Sequence, residues 1–185
     1  METVDETDRK AKAAHAERRR KIETTPLEAN LGAVVENFCK RDPEATAWVF
    51  IDSGESLKRR EILDRVTRLA SSLARIGIRK GTHVAVVLPN KPAFPITWLA
   101  IARLGAVMVP VNVRYTAAEL NYVLTDSEAE YVVIDESLLP RLESLDPRPA
   151  ALRADRIVVA GSSPQSAYHD WNKLVTEGTP GYSPP

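Results

Sequence analysis

Apolar and polar positions follow two periods along this chain, and the switches between them set out its helices and strands. Leu31, Val34, Val35 and Phe38 recur at the spacing of one helix face, and Asn30 stands where an N-cap is wanted. The run ATAWVFID (Ala45 to Asp52) reads as a strand with its turn at Asp52-Ser53-Gly54, and Ser56 and Leu57 begin a short return strand. Ile62, Leu63, Val66, Leu69, Ala70 and Leu73 form the plainest helical stripe. Gly77 follows it where a left-handed cap lets the chain turn. His83 to Leu88 is apolar without alternation, the mark of a strand buried on both faces of a parallel sheet.

The second half repeats this rhythm. Pro89-Asn90 ends the strand, and a helix runs to about Leu104. Pro92 suits its first turn, whereas Pro95 lacks a backbone donor and is expected to delay the regular helix until after it. Gly105 repeats the role of Gly77 and is predicted to have positive φ. Val107 to Val111 is the next strand. Thr116 and Glu119 form a T-x-x-E capping box for a helix carrying Leu120, Val123 and Leu124. Tyr131 to Ile134 is a third apolar strand, with a helix around Ser137 to Leu145 behind it. Arg156 to Ala160 is a fourth. A last helix is expected over Ala167 to Thr176, with Asp170 near its positive end. Strands alternating with helices in this way predict an α/β fold, a parallel sheet with flanking helices.

The first residues break the pattern. Glu2, Asp5, Glu6 and Asp8 come first, then Arg9, Lys10, Lys12 and Arg18 to Lys21, with alanine as filler and almost no apolar face. Residues 1–25 are therefore read as a flexible, charged leader, 26–178 as the folded part and 179–185, rich in Gly and Pro, as a loop tail. The acids argue against a transit peptide, and the leader lacks the apolar core of a secretory signal. No apolar run is long enough to span a bilayer, so a cytoplasmic protein is expected. The 25 bases balance the 25 acids, leaving no net field for nucleic acid or an anionic membrane. Cys39 is the single cysteine. An internal disulfide and a Cys-rich metal site are thereby excluded, and Cys39 reads as a small buried helix residue.

Candidate chemistry is sparse. Neither G-x-G-x-x-G nor G-x-x-x-x-G-K-[ST] occurs. GIRKG (Gly77 to Gly81) lies between a helix and a strand, whereas a phosphate cradle needs glycines opening a helix. His15, His83 and His169 lack zinc-ligand spacing, and His83, opening a strand, reads as structural. No serine sits in a G-x-S-x-G elbow. The carboxylate pairs Glu128/Glu130 and Asp135/Glu136 flank a strand and read as solvated rims. No catalytic, cofactor-binding or metal residue is assigned.

Two segments carry a family likeness. Leu57-Lys58-Arg59-Arg60-Glu61-Ile62 resembles the early L-[TS]-Y-x-E-L motif of adenylate-forming ligases, with Arg59 in place of the usual tyrosine. Arg103-Leu104-Gly105-Ala106-Val107-Met108-Val109-Pro110-Val111-Asn112 resembles their K-x-G-A-x-x-V-P-[LI]-[ND] motif. Arg114, Glu119-Leu120, Leu124, Ser127 and Ala129 continue the pattern in order. The likeness runs over roughly Leu31 to Gly178 and is strongest to acyl-CoA synthetases.

The resemblance implies the N-terminal portion of the large domain of an AMP-forming, ATP-dependent ligase. Such an enzyme joins a carboxylic acid to AMP and then passes the acyl group to a thiol, often coenzyme A. These early motifs are structural in the family. Its Ser/Thr/Gly-rich phosphate loop, adenine and Mg²⁺ segment, ribose-binding aspartate and C-terminal lysine have no counterpart here. ATP, Mg²⁺ and coenzyme A are thus implied for the complete parent and not for this stretch, which is expected to be inactive alone and to self-associate through uncovered apolar surface. Fatty acid metabolism is the process implied. The alternatives are a non-catalytic α/β interaction or oligomerisation module derived from that fold and, further off, a flavodoxin-like binding domain.

Overall fold

A computed structural model describes residues 4–26, 28, 30–162 and 167–184. Helix α1 (Val4–Thr24) precedes α2 (Leu31–Arg41), a hairpin of β1 (Thr46–Phe50) and β2 (Glu55–Lys58), and α3 (Arg59–Arg75). Then come β3 (His83–Val87), α4 (Ala93–Arg103), β4 (Val107–Pro110), α5 (Ala117–Asp126), β5 (Tyr131–Asp135) and α6 (Leu139–Glu143). Strands β6 (Ile157–Ala160) and β7 (His169–Asp170) lead into α7 (Trp171–Glu177). Among the described residues no helix is long and apolar enough to cross a membrane.

The main sheet has the order β4-β3-β5-β6-β7 with every pair parallel. The four apolar runs are its first four strands. β7 adds a fifth that hydrophobic periodicity misses, because only two residues pair, Val158 with His169 and Val159 with Asp170. β3, β5 and β6, buried throughout except at His83, sit inside the sheet, as their non-alternating sequence requires. Val84, Val86, Tyr131 and Val133 face one core with α3, α4 and α7. Ala85, Val87, Val132 and Ile134 face the other, with Leu120, Leu124, Leu139 and Leu142. The period-two alternation of a strand thus feeds two cores.

Several ends form as the residues dictate. Asn30 Oδ1 accepts from the Ala33 amide at 2.9 Å. Thr116 and Glu119 close their box, with the Thr116 amide donating to Glu119 Oε2 at 2.8 Å. Asp170 Oδ1 accepts from the Asn172 amide at 2.8 Å. Gly77 and Gly105 have φ of 105° and 66°, and both turn a helix into a strand.

Other expectations need correction. α4 starts at Ala93, two residues before Pro95. Proline is tolerated there because the first-turn amides have no partner within the helix in any case. The helix placed over Ser137 to Leu145 is a 3₁₀ turn, Glu136–Leu138, followed by the short α6, which carries Pro140 in its first turn. The last helix starts at Trp171, since His169 and Asp170 pair in the sheet; part of the segment just before it, 163–166, lies outside the described residues. In the leader, Val4–Thr24 forms one helix whose described side chains are all exposed.

Candidate functional site

Parallel α/β sheets bind ligands outside the carboxyl ends of strands, where the winding direction reverses. Here that place lies between β3 and β5. The chain leaves β3 through α4 on one face to reach β4, then crosses through α5 on the other face to β5. The loop Leu88 to Pro92 and the turn after Asp135 meet at this point. Lys91 Nζ donates to Asp135 Oδ2 at 3.1 Å across it.

Asp135 corrects the solvated-rim reading. Its side chain is only 7% exposed. Its Oδ1 accepts from the Ser137 hydroxyl at 2.5 Å and the Ser137 amide at 3.1 Å. Burial works hardest on this carboxyl and opposes its charge, yet the Ser137 donors and Lys91 together hold it below the usual carboxylate range. The sequence signal was local: an aspartate ending an apolar strand, with an amide donor two residues on, makes an Asx turn. Glu136 differs from it, being half-buried with Oε1 accepting from Ser162 Oγ at 3.2 Å. Glu128 is exposed, and Glu130 approaches Arg156 at 3.7 Å.

Beside this point opens a broad apolar groove of about 1260 Å³. α2 lines one wall with Leu31, Val35, Phe38 and Cys39. The β1–β2 hairpin supplies Trp48, Val49, Phe50 and Ile51, and α4 supplies Trp98 and Leu99. Asn90 and Lys91 stand at its rim. Of the stripe Leu31, Val34, Val35 and Phe38, which the sequence marks as a helix face, Val35 packs against the core, whereas Leu31, Val34 and Phe38 keep 38–45% of their surface exposed. Cys39 is buried in the wall, as its type suggests. Burial pushes its thiol up, against the opposing pull of the Arg59 charge. Arg59, which replaces the aromatic residue of the family motif, lays its guanidinium 4.1 Å from the centroid of the Phe38 ring. Glu61, the matched acid of that motif, accepts the Lys58 amide at 2.7 Å and so caps α3.

The remaining singled-out residues are structural. His83 Nδ1 lies 2.6 Å from the Ser127 carbonyl, and His169 Nε2 lies 3.0 Å from that of Asp155. His15 is exposed on α1. The buried Arg103 guanidinium ties α2 to the tail: Nη2 pairs with Glu36 at 2.9 Å, and Nε donates to the Tyr182 carbonyl at 2.7 Å. Lys40 and then Arg103 hold Glu36 below its ordinary range.

These residues do not fit a nucleotide and its metal. Gly77, Gly81 and Gly105 lie at turns that enter strands, away from any helix start. Among the described residues no group of three or more His, Cys, Asp or Glu could hold a metal ion. Asp135 already accepts from Ser137 and Lys91.

The comparisons with known proteins agree on one class. The AMP-binding enzyme family matches residues 35–180, and the chain belongs to that family. It is 34% identical over 128 residues to a 4-hydroxybenzoate–CoA/benzoate–CoA ligase of Rhodopseudomonas palustris, covering 69% of this chain and 23% of that protein. It is 38% identical over 103 residues to a feruloyl-CoA synthase of Amycolatopsis, covering 56% of this chain and 21% of the relative. Its fold matches an anthranilate CoA ligase solved with anthranoyl-AMP at a TM-score of 0.78, with 23% identity over 87% of this chain and 30% of that one. It matches a long-chain-fatty-acid-CoA ligase from Archaeoglobus fulgidus at 0.72, with 26% identity over 84% of this chain and 31% of that one. The chain thus spans less than a third of the length of these proteins.

Proposed function

We propose that this chain is the N-terminal part of the large domain of an ATP-dependent, AMP-forming acyl- or aryl-CoA ligase. The observation that supports this best is the family match over residues 35–180, which covers almost the whole folded part of the chain. In the parent, a carboxylate oxygen attacks the α-phosphate of ATP, pyrophosphate leaves, and the thiol of coenzyme A displaces AMP from the acyl-adenylate. The parent works in the cytoplasm on free carboxylic acids, fatty acids among them. This stretch contributes the sheet and the floor of the groove; the groups that hold ATP, Mg²⁺ and coenzyme A come from sequence outside it.

ATP–pyrophosphate exchange tests this reading, run over benzoates, cinnamates and fatty acids. The expected result is background exchange for residues 1–185 alone. Exchange above background that disappears on Asp135→Asn or Lys91→Ala would overturn it.

A second reading, a non-catalytic module that associates through the same groove, is favoured by the uncovered apolar side chains of α2 and the hairpin. In both readings residues 1–185 alone self-associate.

A further inference from the structure

The groove between α2, the hairpin and α4 is apolar in its walls and charged at its rim. Among the described residues that line it, the charged ones are Asp52 and Glu55 at the hairpin end and Lys91 in the loop that enters α4. Glu55 is already engaged, with Oε1 3.3 Å from Arg65 Nη1. Asp52 is exposed in the turn, and its carboxylate has no partner among the described residues. Lys91 gives one of its three N–H donors to Asp135, and its side chain is 65% exposed. One rim thus offers an unpaired acid and a base with donors to spare.

The apolar walls have the same double character. Ile51, next to Asp52, projects from the hairpin end and is 91% exposed. Trp98, on the α4 wall, keeps 45% of its surface open, and a half-open tryptophan in an apolar wall is the kind of residue that anchors protein interfaces. At about 1260 Å³ the groove is roomy enough for a hairpin end and not only for one side chain. Each chain therefore carries a projecting apolar residue beside an acid, and a receiving apolar wall beside a base.

A surface that holds both halves of a contact can pair with itself. About a two-fold axis, the first half in one copy meets the second half in the other and the reverse contact forms at the same time, so the assembly closes. We propose that two copies of this chain join through this groove as a two-fold dimer, with the hairpin end of each entering the groove of the other. Ile51 packs against Trp98 of the second copy, and Asp52 pairs with Lys91 of the second copy. This rests on the self-association of residues 1–185 stated above and adds its geometry. A ligand of one charge sign fits less well, because acid and base both stand on the rim. A head-to-tail contact would leave a hairpin end and a groove unfilled at the two ends of the assembly.

The test is sedimentation velocity of the full chain over a concentration series. The wild-type chain is expected to stop at a dimer. Asp52→Lys and Lys91→Glu should each weaken dimerisation by roughly tenfold, since the two-fold axis makes every like-charge contact twice. An equimolar mixture of the two variants should regain the dimer, because the substituted positions then face opposite charges while the second pair stays native. Lys91→Glu puts a carboxylate beside Asp135, so urea unfolding checks its fold; if it unfolds, Lys91→Gln replaces it in the mixture, with partial recovery expected. A monomeric wild-type chain would overturn both the association and its geometry, and would leave the groove to another occupant. Growth beyond a dimer, a dimer indifferent to both substitutions, or no recovery on mixing folded variants would leave the association standing and overturn the two-fold pairing.

Discussion

Two regions of this molecule use the same kinds of apolar residue and end in opposite states. In the parallel sheet, β3, β5 and β6 are covered on both faces, and Val84, Val86, Val133 and Ile134 are inaccessible to solvent. In the β1–β2 hairpin, Val49 is 64% and Ile51 91% exposed, although Trp48 and Phe50 still meet edge-on at 6.5 Å. The difference is one of connection. β3, β4 and β5 are each followed by a helix that packs on a face of the sheet, so burial there is built from neighbouring sequence. The hairpin closes on itself through Gly54 and shares the walls of the open groove with α2 and α4, so the face it turns to the groove stays open. Burial of a two-stranded ribbon depends on sequence distant from it.

The sharpest way to break this contrast is a pair of substitutions. Ile134→Ala removes a fully buried side chain from the second core and should cost about 3 kcal/mol in urea unfolding. Ile51→Ser should leave stability within about 0.5 kcal/mol and reduce association measured by sedimentation velocity. Were Ile51→Ser to destabilise as much as Ile134→Ala, the hairpin would belong to the same cooperative core and the contrast would fail. An unassociated wild-type chain would remove the groove as a sticky surface.

A middle-sized effect is expected at the switch point. Asp135 has its folded pKa below the unfolded value of about 3.9. Its contribution is therefore fully present above that unfolded value and is lost as pH falls through the folded one. Asp135→Asn should cost about 1–2 kcal/mol at neutral pH and flatten the acid limb of a stability–pH curve. An unchanged acid limb would mean that the donors around Asp135 do not favour its charged form. Lys91→Ala should do less, because the lysine side chain is 65% exposed and the pair is screened on that side.

What was legible in the sequence follows the same division. The four apolar strands, α3, the caps at Asn30 and Thr116, and the family motif at Arg103 to Asn112 all depend on residues within a few positions of one another. β7 was not legible, since two residues carry no period. α4 starts earlier than Pro95 predicts, because the rule against proline in a helix weakens in the first turn. The Lys91–Asp135 contact was invisible for a different reason. The two residues are 44 positions apart, and only the reversal of winding between β3 and β5 brings them together. The groove joins α2, the hairpin and α4 in the same non-local way, so composition at any one of these elements did not announce it.

The smallest expected effect tests the local end of this division. Gly105 follows α4 with φ of 66°, a region that disfavours a side chain. Its amide donates to the Ala102 carbonyl at 3.0 Å, and its own carbonyl accepts from the Gly81 amide at 3.0 Å. The turn into β4 is thus fixed from both sides and cannot relax to negative φ without losing a contact between two loops. An added Cβ would lie 3.2 Å from Lys80 Cγ, a flexible stem that can yield by a few tenths of an ångström. Sterics are therefore secondary, and the cost should be that of the left-handed backbone, about 1 kcal/mol for Gly105→Ala. Gly105→Asn should recover part of it, because asparagine tolerates this region better than alanine. Equal stability of the glycine and alanine forms in thermal unfolding would contradict the positive φ, and a loss much above 2 kcal/mol would mean that Lys80 is held more rigidly than its exposed stem implies.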